Sequence, residues 1–191
     1  MENTMPMRRA ELVIRDKAMV RAILDMCKII TVSLFDDKYP YNYPTNYGYI
    51  YEDDLIFYMH HAPTGHKLDL AAKNPHVCVS TYAFADHVKN PRSPSGSQHD
   101  YRSVMAFGVM EEVFPGTADY RQCWTRLLEC NGRKAADSFL ERDLSKQLRM
   151  YKITCPPENV TGKAQVPLKT VDDVPLPTEP SDPEVRARPV T

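Results

Sequence analysis

Residues 39–67 read YPYNYPTNYGYIYEDDLIFYMHHAPTGHK and contain the least ordinary pattern in the sequence. Its first part carries six tyrosines, at positions Tyr39, Tyr41, Tyr43, Tyr47, Tyr49 and Tyr51. Because side chains alternate between the faces of a strand, these odd positions would share one face unless a bulge at Pro44 shifts the register. Proline cannot donate to a ladder, so part of this strand is predicted to be an edge strand. The tyrosine face is predicted to be a ligand wall, a half-buried sheet face or a subunit interface.

The second part of the stretch predicts a hairpin and then a helix. Glu52-Asp53-Asp54 is a turn, Leu55–His60 returns as a strand, and Thr64-Gly65 introduces a short helix over His66–Lys73. Free N–H groups, the positive end of the helix and the Lys67 ammonium would meet at its start, which favours binding of phosphate or another anion. A lysine that is merely solvated is the alternative for Lys67.

The remaining elements follow from capping residues and hydrophobic periodicity. Helices are predicted from Asp16 to about Cys27, after Thr117 up to Gly132, and over Ala135–Ser145. Together with the stretch above, the strands are predicted at Ile29–Phe35, Tyr39–Tyr51, Leu55–His60, His76–Phe84, Tyr101–Phe114 and Gln147–Cys155. Ala85–Asp100 is predicted to be a long loop. Six strands with hairpin connections indicate a mainly β, antiparallel barrel and not a doubly wound sheet.

Composition excludes several classes of function. The chain has 191 residues, with 24 Lys+Arg against 25 Asp+Glu, and this near-neutral balance argues against partners bound by charge, namely nucleic acid or an anionic membrane. No apolar run approaches the ~18 residues of a membrane helix. Five cysteines, an odd number without a C-x-x-C pair, argue for reduced thiols. We therefore expect a cytoplasmic protein.

Proline content divides the chain. Eight of the sixteen prolines fall in residues 156–191, which contain no aromatic residue. We therefore expect a domain over residues 1–155 and an extended arm over 156–191 without regular structure, either solvated or lying across a partner subunit.

The histidines do not predict a metal site. His60 and His61 are adjacent, so a strand points them to opposite faces, and no ligand stands at a fixed offset. Haem held by one histidine leaves no spacing signature and stays open as an alternative cofactor. The chain also lacks G-x-G-x-x-G, a Walker sequence and G-x-S-x-G, which argues against Rossmann or P-loop nucleotide sites and a serine hydrolase.

The order of several short motifs resembles a known family. The motifs are Pro44-Thr45-Asn46-Tyr47-Gly48-Tyr49, Leu55–His60, Gly65-His66-Lys67, Asn74-Pro75-His76-Val77-Cys78, and Tyr101-Arg102-Ser103-Val104 with Gly108. Together they are similar to the pyridoxamine-5'-phosphate-oxidase-like, FMN-binding split barrels, and most of all to their nitroimidazole-resistance branch. The resemblance covers roughly residues 7–155.

This resemblance implies a homodimer with FMN at the subunit interface. The phosphate would lie on the Gly65-His66-Lys67 turn, and the flavin ring would lie along the strand Pro44, Thr45, Asn46 and Tyr47. The strand end would add contacts from Met59, His60 and His61, and the position of Ser103 is close to the cofactor in related oxidases. The family usually has arginine where this chain has His66, which removes a permanently charged phosphate ligand.

The function implied is an FMN-dependent oxidoreductase that passes electrons from NAD(P)H to a small aromatic nitro compound of the 5-nitroimidazole type. His60 is the candidate catalytic residue, because an imidazole that titrates near its ordinary pKa could protonate the acceptor. A histidine bonded within the sheet is the alternative. Two other readings of the whole chain remain: a haem- or flavin-binding protein without catalysis, and a pyridoxamine-5'-phosphate-oxidase-type enzyme.

Overall fold

The computed structural model describes residues 9–89, 97–134 and 136–176 of the chain. These residues form two compact units. The first unit comprises residues 28–81 and 105–160, and the second comprises 9–27, 82–104 and 161–176, without the residues that lie outside the described ranges. None of the described helices combines the length and the apolar composition that a membrane crossing requires.

Strands dominate the described chain. They are β1 Val13–Ile14, β2 Ile29–Leu34, β3 Tyr41–Asn46, β4 Gly48–Tyr51, β5 Leu55–His61, β6 His76–Lys89, β7 Ser97–Val113, β8 Arg149–Cys155 and β9 Val160–Ala164. The helices are α1 Lys17–Met26, α2 His66–Lys73, α3 Ala118–Glu129 and α4 Asp137–Leu140, with short 3-10 turns at Ala10–Leu12, Pro157–Asn159 and Val171–Asp173. Hydrogen bonding orders seven strands as β3-β2-β6-β7-β8-β5-β4, and β9 pairs with β1 and β7.

The predicted fold class is confirmed, because the sheet is antiparallel and the helices are few and short. The predicted number of six strands is wrong. The described chain has nine, since the tyrosine stretch divides in two and the short strands β1 and β9 pair with each other.

The tyrosine stretch changes partner at Tyr47. β3 pairs with β2 in an unbroken register from Leu34↔Tyr41 to Ile29↔Asn46, so no bulge occurs at Pro44. β4 pairs instead with β5. β3 is at one end of the strand order, so the predicted edge strand with proline is confirmed.

Helix α3 packs closely against the start of β4. A Cβ atom on Gly48 would lie 2.3 Å from the backbone carbon of Arg126, so only glycine allows this approach. The apolar face of α3 lies in the core, since Tyr120, Cys123, Trp124 and Leu127 are buried in one cluster with Tyr58, Val113, Leu140 and Met150, and Leu128 is partly buried against it. Gly48 is therefore required for the close packing of α3 on β4.

Other boundaries differ from the sequence predictions. The bounds predicted for the loop Ala85–Asp100 are wrong at both ends, because β6 continues to Lys89 and β7 begins at Ser97. The centre of the predicted loop lies outside the described residues. Of the helix predicted over Ala135–Ser145, only Asp137–Leu140 is helical. The local helix signals succeed: the Asp16 carboxylate accepts a hydrogen bond from the Met19 N–H at 2.9 Å, and the Thr117 side chain accepts from the Tyr120 N–H.

The second unit holds part of the predicted arm. Residues 157–164 form a 3-10 turn and β9, so the prediction that regular structure ends at Cys155 is wrong there. Arg102, only 3% exposed, pairs with the buried Asp100 and donates to the carbonyls of Asp173 and Val174 at 3.3 and 3.0 Å. Val174 is fully buried. The remainder of the arm, residues 177–191, lies outside the described residues, and its division from the domain stays a prediction.

Ending the chain after Lys169 should therefore destabilise the protein, whereas ending it after Leu176 should not. The shorter chain loses the burial of Val174 and the two carbonyl acceptors that Asp173 and Val174 offer to Arg102, at a cost of about 2–4 kcal/mol. Urea unfolding followed by circular dichroism measures the difference. Equal midpoints for the two chains would show that the Arg102 contacts do not anchor this segment.

Candidate functional site

The turn between β5 and α2 presents free backbone donors. Gly65 has φ of 144° and ψ of 156°, a conformation that glycine adopts without strain, and its carbonyl accepts from the N–H groups of Leu68 and Asp69 at 2.9 and 3.3 Å. The N–H groups of His66 and Lys67 precede these first helical bonds and have no acceptor within the helix. The predicted anion-binding turn therefore has the expected backbone geometry.

Lys67 lies over an aromatic ring of β3. Its Nζ is 4.6 Å from the centroid of the Tyr43 ring, a cation–π geometry. Partial burial lowers the pKa of Lys67 from its ordinary value. Within residues 9–89, 97–134 and 136–176, no carboxylate pairs with this ammonium. A partly desolvated cation without a counter-ion favours the binding of an anion.

Beneath Lys67, Tyr43 and His61 form a buried pair. The Tyr43 hydroxyl shares a hydrogen bond of 3.2 Å with His61 Nε2, and the two rings meet edge to face at 5.3 Å. Burial, and then the charge of Lys67, lowers the pKa of His61 to about 3, while burial raises the pKa of Tyr43. Both groups are therefore uncharged at neutral pH. His61 is 3% exposed, so the structure places it behind Tyr43 and away from solvent.

Two other residues at the end of β5 have different surroundings. Met59 is fully buried, so its side chain belongs to the core. His60 is solvent-exposed and its ring stacks on Trp124 at 6.4 Å. Partial desolvation, and then the charge of Lys67, lowers the pKa of His60 below its ordinary value of 6.5. Of the three residues, His60 alone is exposed.

The His66 side chain is already engaged. Its Nε2 lies 2.9 Å from Asp36 Oδ2, and its ring meets the edge of Tyr41 at 5.3 Å. A carboxylate next to this position opposes a phosphate dianion, in contrast to the arginine that the resemblance noted above would imply here. The positive charge of the turn thus comes from Lys67 and the helix start.

The residues predicted to lie along a flavin ring occupy the edge strand and its end. Pro44 and Asn46 are exposed, Thr45 is half-buried, and Tyr47 is buried against Phe57. Asn46 Nδ2 donates to the Lys28 carbonyl at 3.4 Å. Of the predicted strand contacts, Pro44, Thr45 and Asn46 are therefore accessible, whereas Tyr47 is part of the core.

Ser103 lies in β7 within the second unit. It is half-buried, and its proximity to a cofactor stays a prediction.

The structure also contains a cavity that the sequence did not predict. It has a volume of about 300 Å³ and lies between α2, β7 and β8 in the first unit. Polar groups on its wall come from Asp69, Glu112, Arg149 and Tyr151. Arg149 pairs with Glu112 at 3.3 Å, and Glu112 is directly opposite Tyr151 in the β7–β8 register. These residues are far apart in sequence, so no local motif could have indicated them.

Metal and disulfide chemistry find no support in the described chain. Residues 9–89, 97–134 and 136–176 contain no group of three or more His, Cys, Asp or Glu side chains that could hold a metal ion. All five cysteines, Cys27, Cys78, Cys123, Cys130 and Cys155, are free thiols.

The buried state of His61 predicts a pH dependence of stability. Its pKa in the folded chain, about 3, lies below its ordinary 6.5, so protonation favours the unfolded chain. Its contribution is fully present above the ordinary pKa and is lost as the pH falls toward 3. From about pH 7.5 to 5.5, the wild type should lose about 1.4 kcal/mol more unfolding free energy than His61→Gln. Urea unfolding at both pH values tests this, with the exposed His76→Gln as a control. Parallel pH profiles for wild type and His61→Gln would contradict the burial of a neutral imidazole.

Comparison with solved structures supports the fold. The chain resembles a candidate 5-nitroimidazole antibiotic resistance protein from Bacteroides thetaiotaomicron, with a TM-score of 0.64 and 22% identity over 80% of this chain and 86% of that one. It also resembles the flavocytochrome Anf3 from Azotobacter vinelandii, with a TM-score of 0.60 and 20% identity over 100% and 82% of the two chains. A third similar structure is an FAD- and haem-binding protein from Mycobacterium smegmatis, with a TM-score of 0.57 and 21% identity over 85% and 78%.

At these identities the structural comparisons establish the fold alone. No curated protein matches the chain. The family model for pyridoxamine 5'-phosphate oxidase, however, matches residues 16–164, which is most of the chain and includes β9. The antiparallel split barrel expected from the sequence is the fold of this family, and the chain belongs to the pyridoxamine 5'-phosphate oxidase family.

Proposed function

We propose that this protein is an FMN-dependent oxidoreductase that reduces a small aromatic nitro compound, of the 5-nitroimidazole type, with electrons from NAD(P)H. The observation that carries the proposal is the Lys67 ammonium, which lies at the start of α2 beside the edge strand β3 and has no carboxylate partner among the described residues. Family membership supports a flavin, and one of the similar structures is a candidate nitroimidazole resistance protein.

The residues of the turn fit a phosphate-bearing planar cofactor. Lys67 supplies a charge, and the free N–H groups after Gly65 supply neutral donors. The accessible residues Pro44, Thr45 and Asn46 would support the flavin ring along the strand. His66 does not fit the role of a phosphate ligand while it is paired with Asp36. We therefore expect FMN to be held mainly by Lys67 and backbone donors.

When bound, the flavin would supply the electron transfer between reduced nicotinamide and the acceptor. The protein would contribute binding and hydrogen bonding. His60, which is exposed at the end of β5, is our candidate for the side chain that meets the acceptor. Its lowered pKa keeps most of the imidazole neutral at pH 7, so it would offer an N–H donor to a nitro oxygen.

Two further parts of the proposal come from the family and the sequence. We propose a homodimer with the cofactor at the subunit interface. Sedimentation of the FMN-loaded protein tests this, because a dimer has twice the mass of a single chain. We also propose a cytoplasmic location, because the odd number of cysteines is typical of reduced thiols.

The absorption spectrum of the purified protein, before and after incubation with FMN, tests the cofactor. Oxidised flavin bands that remain after gel filtration support FMN, and bleaching of these bands by NADH or NADPH, followed by recovery on addition of a 5-nitroimidazole, supports the reaction. A Soret band would favour the haem-binding alternative. A protein that stays colourless after incubation with FMN and with haem would overturn the cofactor assignment.

Replacement of Lys67 tests the anion site directly. Lys67→Ala should weaken FMN binding by about 1.5–3 kcal/mol, because it removes a charge-assisted contact to phosphate. Lys73→Ala, an exposed lysine in the last turn of the same helix, is the matched control. Fluorescence titration with FMN measures both, and equal affinities for the two variants would place the phosphate elsewhere.

A further inference from the structure

We propose that Tyr43, held from behind by His61, is a positioning residue that sets the Lys67 ammonium in place for the phosphate of the cofactor. This inference rests on the proposed function of the α2 turn. It also changes the role predicted for His61, which would act through Tyr43 and not by contact with the flavin.

The contact between Lys67 and Tyr43 supports the first step. Nζ lies 4.6 Å from the ring centroid, so the ammonium faces the negative face of the aromatic ring. Lysine has four rotatable bonds and loses much rotamer freedom when it is fixed. A ring that holds the ammonium at the turn reduces the entropy that phosphate binding would otherwise cost.

The second step concerns what fixes the ring. Tyr43 is 6% exposed, and its hydroxyl lies 3.2 Å from His61 Nε2 and 3.9 Å from the sulfur of Met110. His61 in turn packs on Tyr151 at a ring distance of 5.5 Å. β5 and β7 therefore hold the far end of the Tyr43 side chain directly, and β8 supports it through His61, so the ring has little freedom to rotate.

Charge supports the same arrangement. His60 and His61 both lie close enough to Lys67 for its charge to lower their pKa values. A protonated His61 behind the ring would repel the ammonium, so the pair works with a neutral imidazole. Tyr43 and His61 are uncharged. Lys67 is therefore the only cation among these three residues that would face a ligand.

The comparison of FMN with riboflavin separates this role from general stability, because riboflavin has the same ring and no phosphate. We expect Tyr43→Leu to weaken FMN binding about three- to thirty-fold and to leave riboflavin binding within about two-fold. Tyr39→Leu is the matched control, since Lys38 lies over the exposed Tyr39 ring at 5.1 Å, outside the turn. Unchanged preference for FMN over riboflavin in Tyr43→Leu would overturn the inference.

A second comparison keeps the volume of the buried side chain, in case Tyr43→Leu does not fold. Tyr43→Phe keeps the ring but removes the hydroxyl that bonds His61, so it should retain only part of the FMN preference. Trifluorophenylalanine at the same position lacks the same hydroxyl and should reduce the preference further, because fluorine withdraws negative charge from the ring face. Equal FMN affinity for the two rings would overturn the inference.

A measurement without flavin completes the test. In the free protein, NMR should show the Cε protons of Lys67 shifted upfield by the Tyr43 ring, and this shift should disappear in Tyr43→Leu and decrease in His61→Leu. Ordinary Lys67 shifts in the wild type would overturn the inference even if FMN binds. Absence of FMN binding by the wild type would instead overturn the proposed function, and this inference with it.

Discussion

A single residue, Tyr47, separates two strands that pair with different neighbours. β3 before it pairs with β2, and β4 after it pairs with β5, so the two ends of the seven-strand order are consecutive in the chain. Gly48 permits this change, because the backbone of α3 occupies the space that any Cβ atom would need. The change of partner leaves β3 as an edge strand beside α2. The candidate site depends on that edge.

The electrostatics of the site follow from desolvation more than from charge pairs. The cation Lys67 lies among aromatic rings and neutral imidazoles. The carboxylate of Asp36 is paired with the neighbouring His66 and not with Lys67. A bound anion would restore a counter-ion to Lys67 and would relieve its effect on the imidazoles, so their pKa values would rise on binding. We therefore expect anion binding at Lys67 to be coupled to protonation of these imidazoles, of which His60 is the exposed one.

Local signals in the sequence were sufficient for the helices α1, α2 and α3 and for the backbone geometry of the turn before α2. Gly65 before and Asn74-Pro75 after gave the bounds of α2, and Asp16 and Thr117 gave the starts of α1 and α3. The contacts that give these elements their function connect residues far apart in the chain. Nothing in the spacing of Tyr43 and His61 indicates a hydrogen bond, and Arg102 finds the carbonyl of Val174 72 residues away. The strands β6 and β7 also extend into the predicted loop Ala85–Asp100, because strand pairing depends on the partner strand as well as on local composition.

The buried thiols of the first unit give this protein an internal reporter. Cys123 and Cys155 have no exposed surface, and burial raises the pKa of both, to about 12 for Cys155. An alkylating reagent therefore reaches them only when the unit opens, whereas the half-buried Cys130 is available without such opening. The rate of maleimide labelling at Cys123 would therefore report how often α3 opens away from the sheet. This measurement needs no engineered probe, because the thiol is part of the natural chain.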